Sequence, residues 1–275
     1  MPYTSRSISF MSLAVLTAIC TVNAFGKDIP SRPEPIQTNQ VTAALFDEQN
    51  WAFALGGGMM YRAKYEGSDN YHAVFIPDIS ARYKNGLIFA NWNGIGSYPI
   101  NEKNYKIGAS ISPSFGRKEK DDRENLRGMG DIDTGIVVNL LGEYDFGPMK
   151  LSGKISKGDK EYGTTAKLEI GKIFALTEKL KLKVAAGNTW ADEEHMQSYF
   201  GVSPAQAMRS GYNQYEAKSG IKSAGVSIGT FYSITKSWEA KVMVTADKFL
   251  DSAADSPLTK KDLNTATMAT LSYKF

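Results

Sequence analysis

The sequence predicts an all-β fold: a transmembrane antiparallel up-and-down β-barrel of about twelve strands, with ten as the fallback. Three observations predict it. The final stretch, Leu263–Phe275, alternates two unlike faces with period two, which is strand geometry. Leu263, Thr265, Thr267, Ala269, Leu271, Tyr273 and Phe275 share one face, and Asn264, Ala266, Met268, Thr270, Ser272 and Lys274 share the other. An apolar face ending in aromatics, backed by a small and polar one, suits a strand with lipid outside and a polar lumen inside. The chain also opens on an export signal. Beyond that signal no segment reaches the ~18 consecutive apolar residues of a spanning helix. A membrane protein of this composition must then cross as a closed barrel, because only helices and closed barrels satisfy their backbone in lipid.

The export signal covers residues 1–24. Arg6 supplies its positive end, Ile8–Ile19 its apolar stretch, and Val22-Asn23-Ala24 small residues for cleavage. Cys20 raises the alternative of a lipidated cysteine, which Thr17-Ala18-Ile19 fits poorly. Cleavage after Ala24 leaves no cysteine, so no disulfide holds the exported chain. The net charge of +3 falls by one with Arg6. That balance argues against nucleic acid as a partner. Residues 25–50, with Pro30, Pro33 and Pro35, read as a periplasmic lead-in, and residues 51–275 as the barrel.

Strands follow in order. Trp51–Arg62 carries Trp51, Phe53, Leu55, Met59 and Tyr61 on one face. Ala73–Tyr83 and Gly86–Gly94 are noisier, with Asn85-Gly86 as a tight-turn signal between them. Tyr105–Phe115 alternates cleanly, and Pro113 belongs near its end or at a bulge, since proline donates no ladder bond. Arg117–Asp133 is a charged loop. Thr134–Phe146 and Met149–Ser156 form a hairpin across Gly147-Pro148. Tyr162–Phe174 and Leu180–Thr189 come next, then a long loop from Ala191 to Gly211 or beyond. Ala224–Ile234 and Trp238–Leu250 pair across Thr235-Lys236-Ser237, and Asp251–Asp262 leads into the closing strand. These are eleven segments. Tyr212–Lys222 is the doubtful twelfth that makes the count even, as bacterial barrels require. Pattern alone leaves open which loops face outward.

Pieces of the chain also match a known family. They are Tyr65-Glu66-Gly67-Ser68, Pro77, Arg117, Asp121-Asp122 and Leu126-Arg127-Gly128-Met129-Gly130-Asp131-Ile132-Asp133. Further on come Tyr199-Phe200-Gly201-Val202 with Ser210-Gly211, Tyr232-Ser233-Ile234-Thr235 with Trp238, Asp255-Ser256-Pro257, and Tyr273-Lys274-Phe275. In these the chain resembles the MipA/OmpV family of Gram-negative outer-membrane proteins. The resemblance implies a barrel without known catalysis that lives in the outer membrane. It also implies a scaffold that brings a murein-cleaving lytic transglycosylase together with a murein synthase. Resemblance to outer-membrane proteins generally makes Tyr273 and Phe275 an assembly signal read by the barrel assembly machinery. Outer-membrane lipid is the other expected partner, and the residues that bind a murein enzyme are unknown.

The remaining chemistry is sparse. His72 and His195 are the only histidines, and no G-x-S-x-G is present. His72 near Ser68 is the one pair that would serve a lipid hydrolase at the membrane rim; a solvated loop histidine is the plainer reading. Asp192-Glu193-Glu194-His195 has metal-ligand residue types, but consecutive side chains diverge and rarely close one shell. Asp131 and Asp133 with Asp121 or Asp122 lack the regular spacing of a calcium loop. Gly56-Gly57-Gly58 precedes no helix, so it permits close packing or a bend on a strand and does not cradle phosphate. Lumen-facing Lys106, Lys150, Lys154, Lys167, Lys181 and Lys183 fit either a small-solute channel that favours anions or internal pairing with Glu143, Asp145 and Glu169. The sequence thus assigns no catalytic, cofactor-binding or metal residue, and no cofactor.

Overall fold

The computed structural model describes residues 51–275. The expected signal peptide, residues 1–24, and lead-in, residues 25–50, lie outside the described residues. Twelve strands form one closed antiparallel barrel. They are β1 (Trp51–Ala63), β2 (Tyr71–Tyr83), β3 (Ile88–Asn91), β4 (Gly94–Asn101), β5 (Tyr105–Ser114) and β6 (Gly135–Phe146), then β7 (Met149–Gly158), β8 (Thr164–Ala175), β9 (Leu180–Ala191), β10 (Gly220–Ser233), β11 (Trp238–Phe249) and β12 (Leu263–Lys274). Each pairs with its neighbour in sequence, and β12 closes on β1 from Ala54↔Lys274 to Arg62↔Ala266. No helix among the described residues is long and apolar enough to cross a membrane.

The strand total agrees with the sequence, but its membership differs at two places. Tyr212–Lys222 is not a strand of its own: a single bridge at Tyr215 interrupts a loop, and β10 starts at Gly220. The missing strand lies inside and beyond Gly86–Gly94. Trp92-Asn93 turns there, with Gly94 at φ +100°, and splits the segment into β3 and β4. Four residues are too few to show alternation. Gly94, Gly96 and Pro99 in β4 carry the composition of a loop, and the register of β4 with β5 shifts between Ser97 and Ile100. Asn85-Gly86 does turn as expected, at φ +63° and +100°.

With β4 in place the loops sort themselves. Connections 84–87, 102–104, 147–148, 176–179 and 234–237 are short and share one end with the start of β1 and the finish of β12. The long ones, 64–70, 115–134, 192–219 and 250–262, share the other. Short turns face the periplasm and long loops the exterior in such barrels.

Faces follow the period-two pattern. Outward residues such as Leu55, Ile111, Leu140, Ile155, Val226, Val244 and Leu271 are exposed apolar side chains. Inward ones on β12, Asn264, Ala266, Met268, Thr270 and Ser272, are buried. At the periplasmic rim Trp51 stacks near Phe53 and Tyr83, with centroids at 5.4 and 5.0 Å. Tyr273 meets Trp238 and Phe275 edge-on at 5.2 and 4.9 Å. That girdle is the interfacial belt of a membrane barrel. At the seam, a Cβ on Gly56 or Gly58 would collide with the β12 backbone at Leu271 or Ala269, so the glycines allow the closing strands to meet.

Candidate functional site: the filled lumen and its extracellular cap

The lumen is built from paired charges around an apolar plug. Met60, Ile76, Phe231, Met243, Ala266 and Met268 form the plug, with Val74 and Trp92 packed against it. On one side Asp78 accepts from Lys241 Nζ at 2.8 Å, Ser272 Oγ at 2.5 Å and Thr270 Oγ1 at 3.1 Å. Opposite, Lys150 reaches Glu143 at 2.9 Å and Asp145 at 3.3 Å, and Tyr98 donates to Glu143 at 3.1 Å. Glu169 sits between Lys183 at 2.9 Å and Lys167 at 3.3 Å, all three buried. Lys274 bridges to Glu239 at 2.6 Å. Burying an ion is costly unless it is paired. Lys150, Lys167 and Lys183 therefore join carboxylates, and internal pairing is the role the structure gives them.

Above the lumen the long loops fold onto one another. Asp192 caps the helix Glu193–Phe200 by accepting from His195 N at 2.9 Å. Ser203 and Gln206 form a reciprocal capping box on the helix Pro204–Ser210. Apolar residues of four loops pack together: Tyr65, Leu126, Met129, Val202 and Leu258 in one cluster, and Ile132, Met196, Tyr199, Phe200, Phe249 and Ala253 among those of another. Arg117 Nη1 donates to Tyr199 O at 2.9 Å, Ser256 Oγ to Phe200 O at 2.5 Å, and Tyr65 OH to Leu258 O at 2.8 Å. Five sequence pieces that carry the family resemblance, from Tyr65-Glu66-Gly67-Ser68 to Asp255-Ser256-Pro257, thus meet in this one cap.

Beneath the cap lies a buried polar group. Lys222 Nζ donates to both oxygens of Glu66, at 3.1 and 2.9 Å, and lies 3.2 Å from His195 Nε2. His195 Nδ1 is 2.7 Å from Tyr162 O, so Nδ1 holds the proton and Nε2 accepts. Burial, then the Lys222 charge, hold the His195 pKa well below the ordinary 6.5. Burial lowers the Arg117 guanidinium to about 10 and pushes the Tyr65 phenol up.

The residues singled out by sequence are dispersed. Ser68 Oγ donates to Asp122 at 2.7 Å, and no hydrogen bond joins it to His72. In the tetrad, Asp192 is a helix cap, Glu194 pairs with Lys157 at 2.7 Å and His195 turns inward. Lys118 occupies the place between Asp131 and Asp133, at 3.5 and 3.0 Å, while Asp122 bonds Ser68 and Asn70. No group of three or more His, Cys, Asp or Glu among the described residues is placed to hold a metal ion. Lys222 and Glu66, 156 positions apart, escaped the sequence reading as a pair; a lysine interrupting the lumen face at the start of β10 was the only signal.

The profile described as MltA-interacting protein MipA matches residues 55–275, nearly all of the barrel. The chain belongs to the MipA family. It is an outer-membrane protein, with the cap and lumen just described as this MipA-family member's interior. No curated protein matches it at a significant level. Solved barrels are similar at low identity. The NanC porin is 8% identical over 81% of this chain and 100% of its own, with a TM-score of 0.42. The DcaP outer membrane channel of Acinetobacter baumannii is 12% identical over 82% and 96%, with a TM-score of 0.37. An outer membrane channel from Pseudomonas putida F1 is 8% identical over 82% and 96%, with a TM-score of 0.41.

Proposed function

We propose that this MipA-family barrel is a non-enzymatic scaffold, anchoring a lytic transglycosylase and a murein synthase to the outer membrane. The family carries the reading, through its description as an MltA-interacting protein. The paired lumen charges and the packed cap support it, since among the described residues they leave the periplasmic turns as surfaces for a partner. Photo-cross-linkers at Lys103, Pro148, Lys179 and Lys236, on the periplasmic turns, test it in living cells. Recovery of a murein hydrolase or synthase is the expected result. Cross-links to the assembly machinery alone would overturn the scaffold. Purified, folded barrel is expected to give silent planar bilayers, and steady conductance would restore the channel reading. Lipid profiles of a deletion strain are expected to match the parent; altered acylation would restore the hydrolase reading.

Tyr273 and Phe275 form the assembly signal in this proposal. Phe275 is exposed at the rim, and its N–H donates to Phe53 O at 3.0 Å. Replacing Phe275 by Ser slows the appearance of the heat-modifiable form in a pulse-chase. Unchanged kinetics for the Tyr273→Ser, Phe275→Ser double variant would remove the role.

A further inference from the structure

The barrel wall is incomplete on one side. β2 pairs with β3 only at Ala81–Tyr83, so Tyr71–Ser80 has β1 on one side and no paired strand on the other, among the described residues. On the far side β5 pairs with β4 only up to Ile111. Ser112–Ser114 then pair with β6 alone. The hairpin tip Trp92-Asn93 forms the floor of this opening. Its roof is the 115–134 loop, which crosses to the 64–70 loop. There Ser68 and Asn70 donate to Asp122 at 2.7 and 3.2 Å, and Asn125 donates to Asp69 at 3.1 Å. Each jamb carries a proline, Pro77 on β2 and Pro113 on β5. Proline suits a strand edge that donates to no partner. The short hairpin thus leaves a window in the strand pairing, in the half of the wall nearer the long loops.

The window's outer border is apolar: Phe75 and Ile79 on β2 are 64% and 54% exposed, Ile95 on β4 is 71% and Ile111 on β5 is 58%. Behind it the lumen holds polar atoms without partners. Arg62, on β1 opposite His72 of β2, is only 4% exposed, and its Nε and Nη2 have no hydrogen-bond partner. His72 Nε2 and Trp92 Nε1 are likewise unmet, as are two acceptors, Asn93 Oδ1 and Asp121 Oδ2. Val74 and Trp92 pack against the apolar plug that contains Met60, and the Met60↔Val74 pair lies two residues along β1 and β2 from Arg62↔His72. Asp121 is the carboxylate that acts on Arg62 electrostatically, without an ion pair. A buried guanidinium with free donors is costly unless it meets an acceptor, and its fork matches a carboxylate.

We propose that the window is a lateral binding port for a single-chain amphiphile with a carboxylate head, such as a long-chain fatty acid. Its chain lies along Phe75, Ile79, Ile95 and Ile111, and its head enters between β2 and β5 to meet Arg62 beside Trp92. This site faces the membrane and is independent of the periplasmic scaffold role. It stands or falls by lipid binding alone.

Trp92 reports occupancy as the difference between the parent and Trp92→Phe, because Trp51 and Trp238 in the girdle also meet bilayer lipid. The full-length mature protein in phosphatidylcholine nanodiscs is titrated with 9,10-dibromostearate, whose bromines quench indole fluorescence on contact. Saturable quenching that disappears in Trp92→Phe is the expected result. Arg62→Gln, checked for its heat-modifiable fold, weakens the midpoint at least tenfold. On the unchanged protein the neutral 9,10-dibromostearamide binds at least tenfold more weakly, which tests the head group without a variant. Quenching that rises linearly without saturating, or equally for acid and amide, would overturn the port by showing bulk partition. Saturation seen only after removal of residues 25–50 would make that segment the occupant and would overturn it too.

Discussion

Lys222 at the start of β10 grips both carboxylate oxygens of Glu66, at 3.1 and 2.9 Å, across the mouth of the barrel. The pair joins the loop after β1 to the wall that carries the 192–219 loop, and both side chains are nearly fully buried. It is the electrostatic pin of the extracellular cap.

Removing one partner strands the other. Glu66→Ala removes the carboxylate that Lys222 grips beside His195, and the cap loses roughly 3–5 kcal/mol of local stability. Limited proteolysis checks this: cleavage within residues 192–219 accelerates while the strands stay protected. A cap as resistant as the parent's would show that apolar packing alone holds it.

Acid loosens the same cap. His195 is neutral when buried: burial and then the Lys222 charge hold its folded pKa below the unfolded 6.5, against the bond to Tyr162 O and the Asp192 charge, which favour the proton. The opened state takes up a proton that the closed state refuses. Stability from this group is fully present above pH 6.5 and falls below it by about 1.4 kcal/mol per pH unit, until the folded pKa is reached. Hydrogen exchange of residues 192–200 between pH 7.5 and 5.5 measures it, and His195→Gln flattens the dependence.

Within the lumen Glu169 serves two lysines. Glu169→Gln leaves Lys167 and Lys183 close together without its charge, and lowers barrel stability by roughly 3–5 kcal/mol. The temperature at which the folded band is lost on a denaturing gel reports the change. Glu169→Asp restores part of it.

The closing seam depends on small residues. Gly58→Val drives a side chain into the β12 backbone at Ala269 and Thr270, and the heat-modifiable form is lost. Gly153→Ala, where an added Cβ meets nothing within 4 Å, stays within about 0.5 kcal/mol of the parent. Equal behaviour of the two variants would refute the seam argument.

Much of the barrel was legible because alternation is a local property. Leu263–Phe275 shows which face meets lipid, since every second side chain shares an environment. The charged run Arg117–Asp133 reads as a loop for the same reason. Legibility failed where a strand was too short or too rich in turn residues to alternate. Gly86–Gly94 shows a single segment where β3 ends and β4 begins, so β4 is hidden in that way and Tyr212–Lys222 stands in its place in the count. The metal-like tetrad at Asp192 illustrates a different limit. Residue types were visible, but their directions were set by a helix cap.

The sequence by itself determined the class of fold, the membrane-facing surface and the family, because these rest on period, composition and short local pieces. Only the tertiary structure decided which charges meet. Glu66 finds Lys222, Asp78 finds Lys241, and Arg62 is left with unmet donors behind a gap in the wall, because closure of the barrel brings together residues far apart in the chain. The window has the same origin: it follows from the unequal lengths of neighbouring strands, a relation between strands that no single stretch of sequence contains.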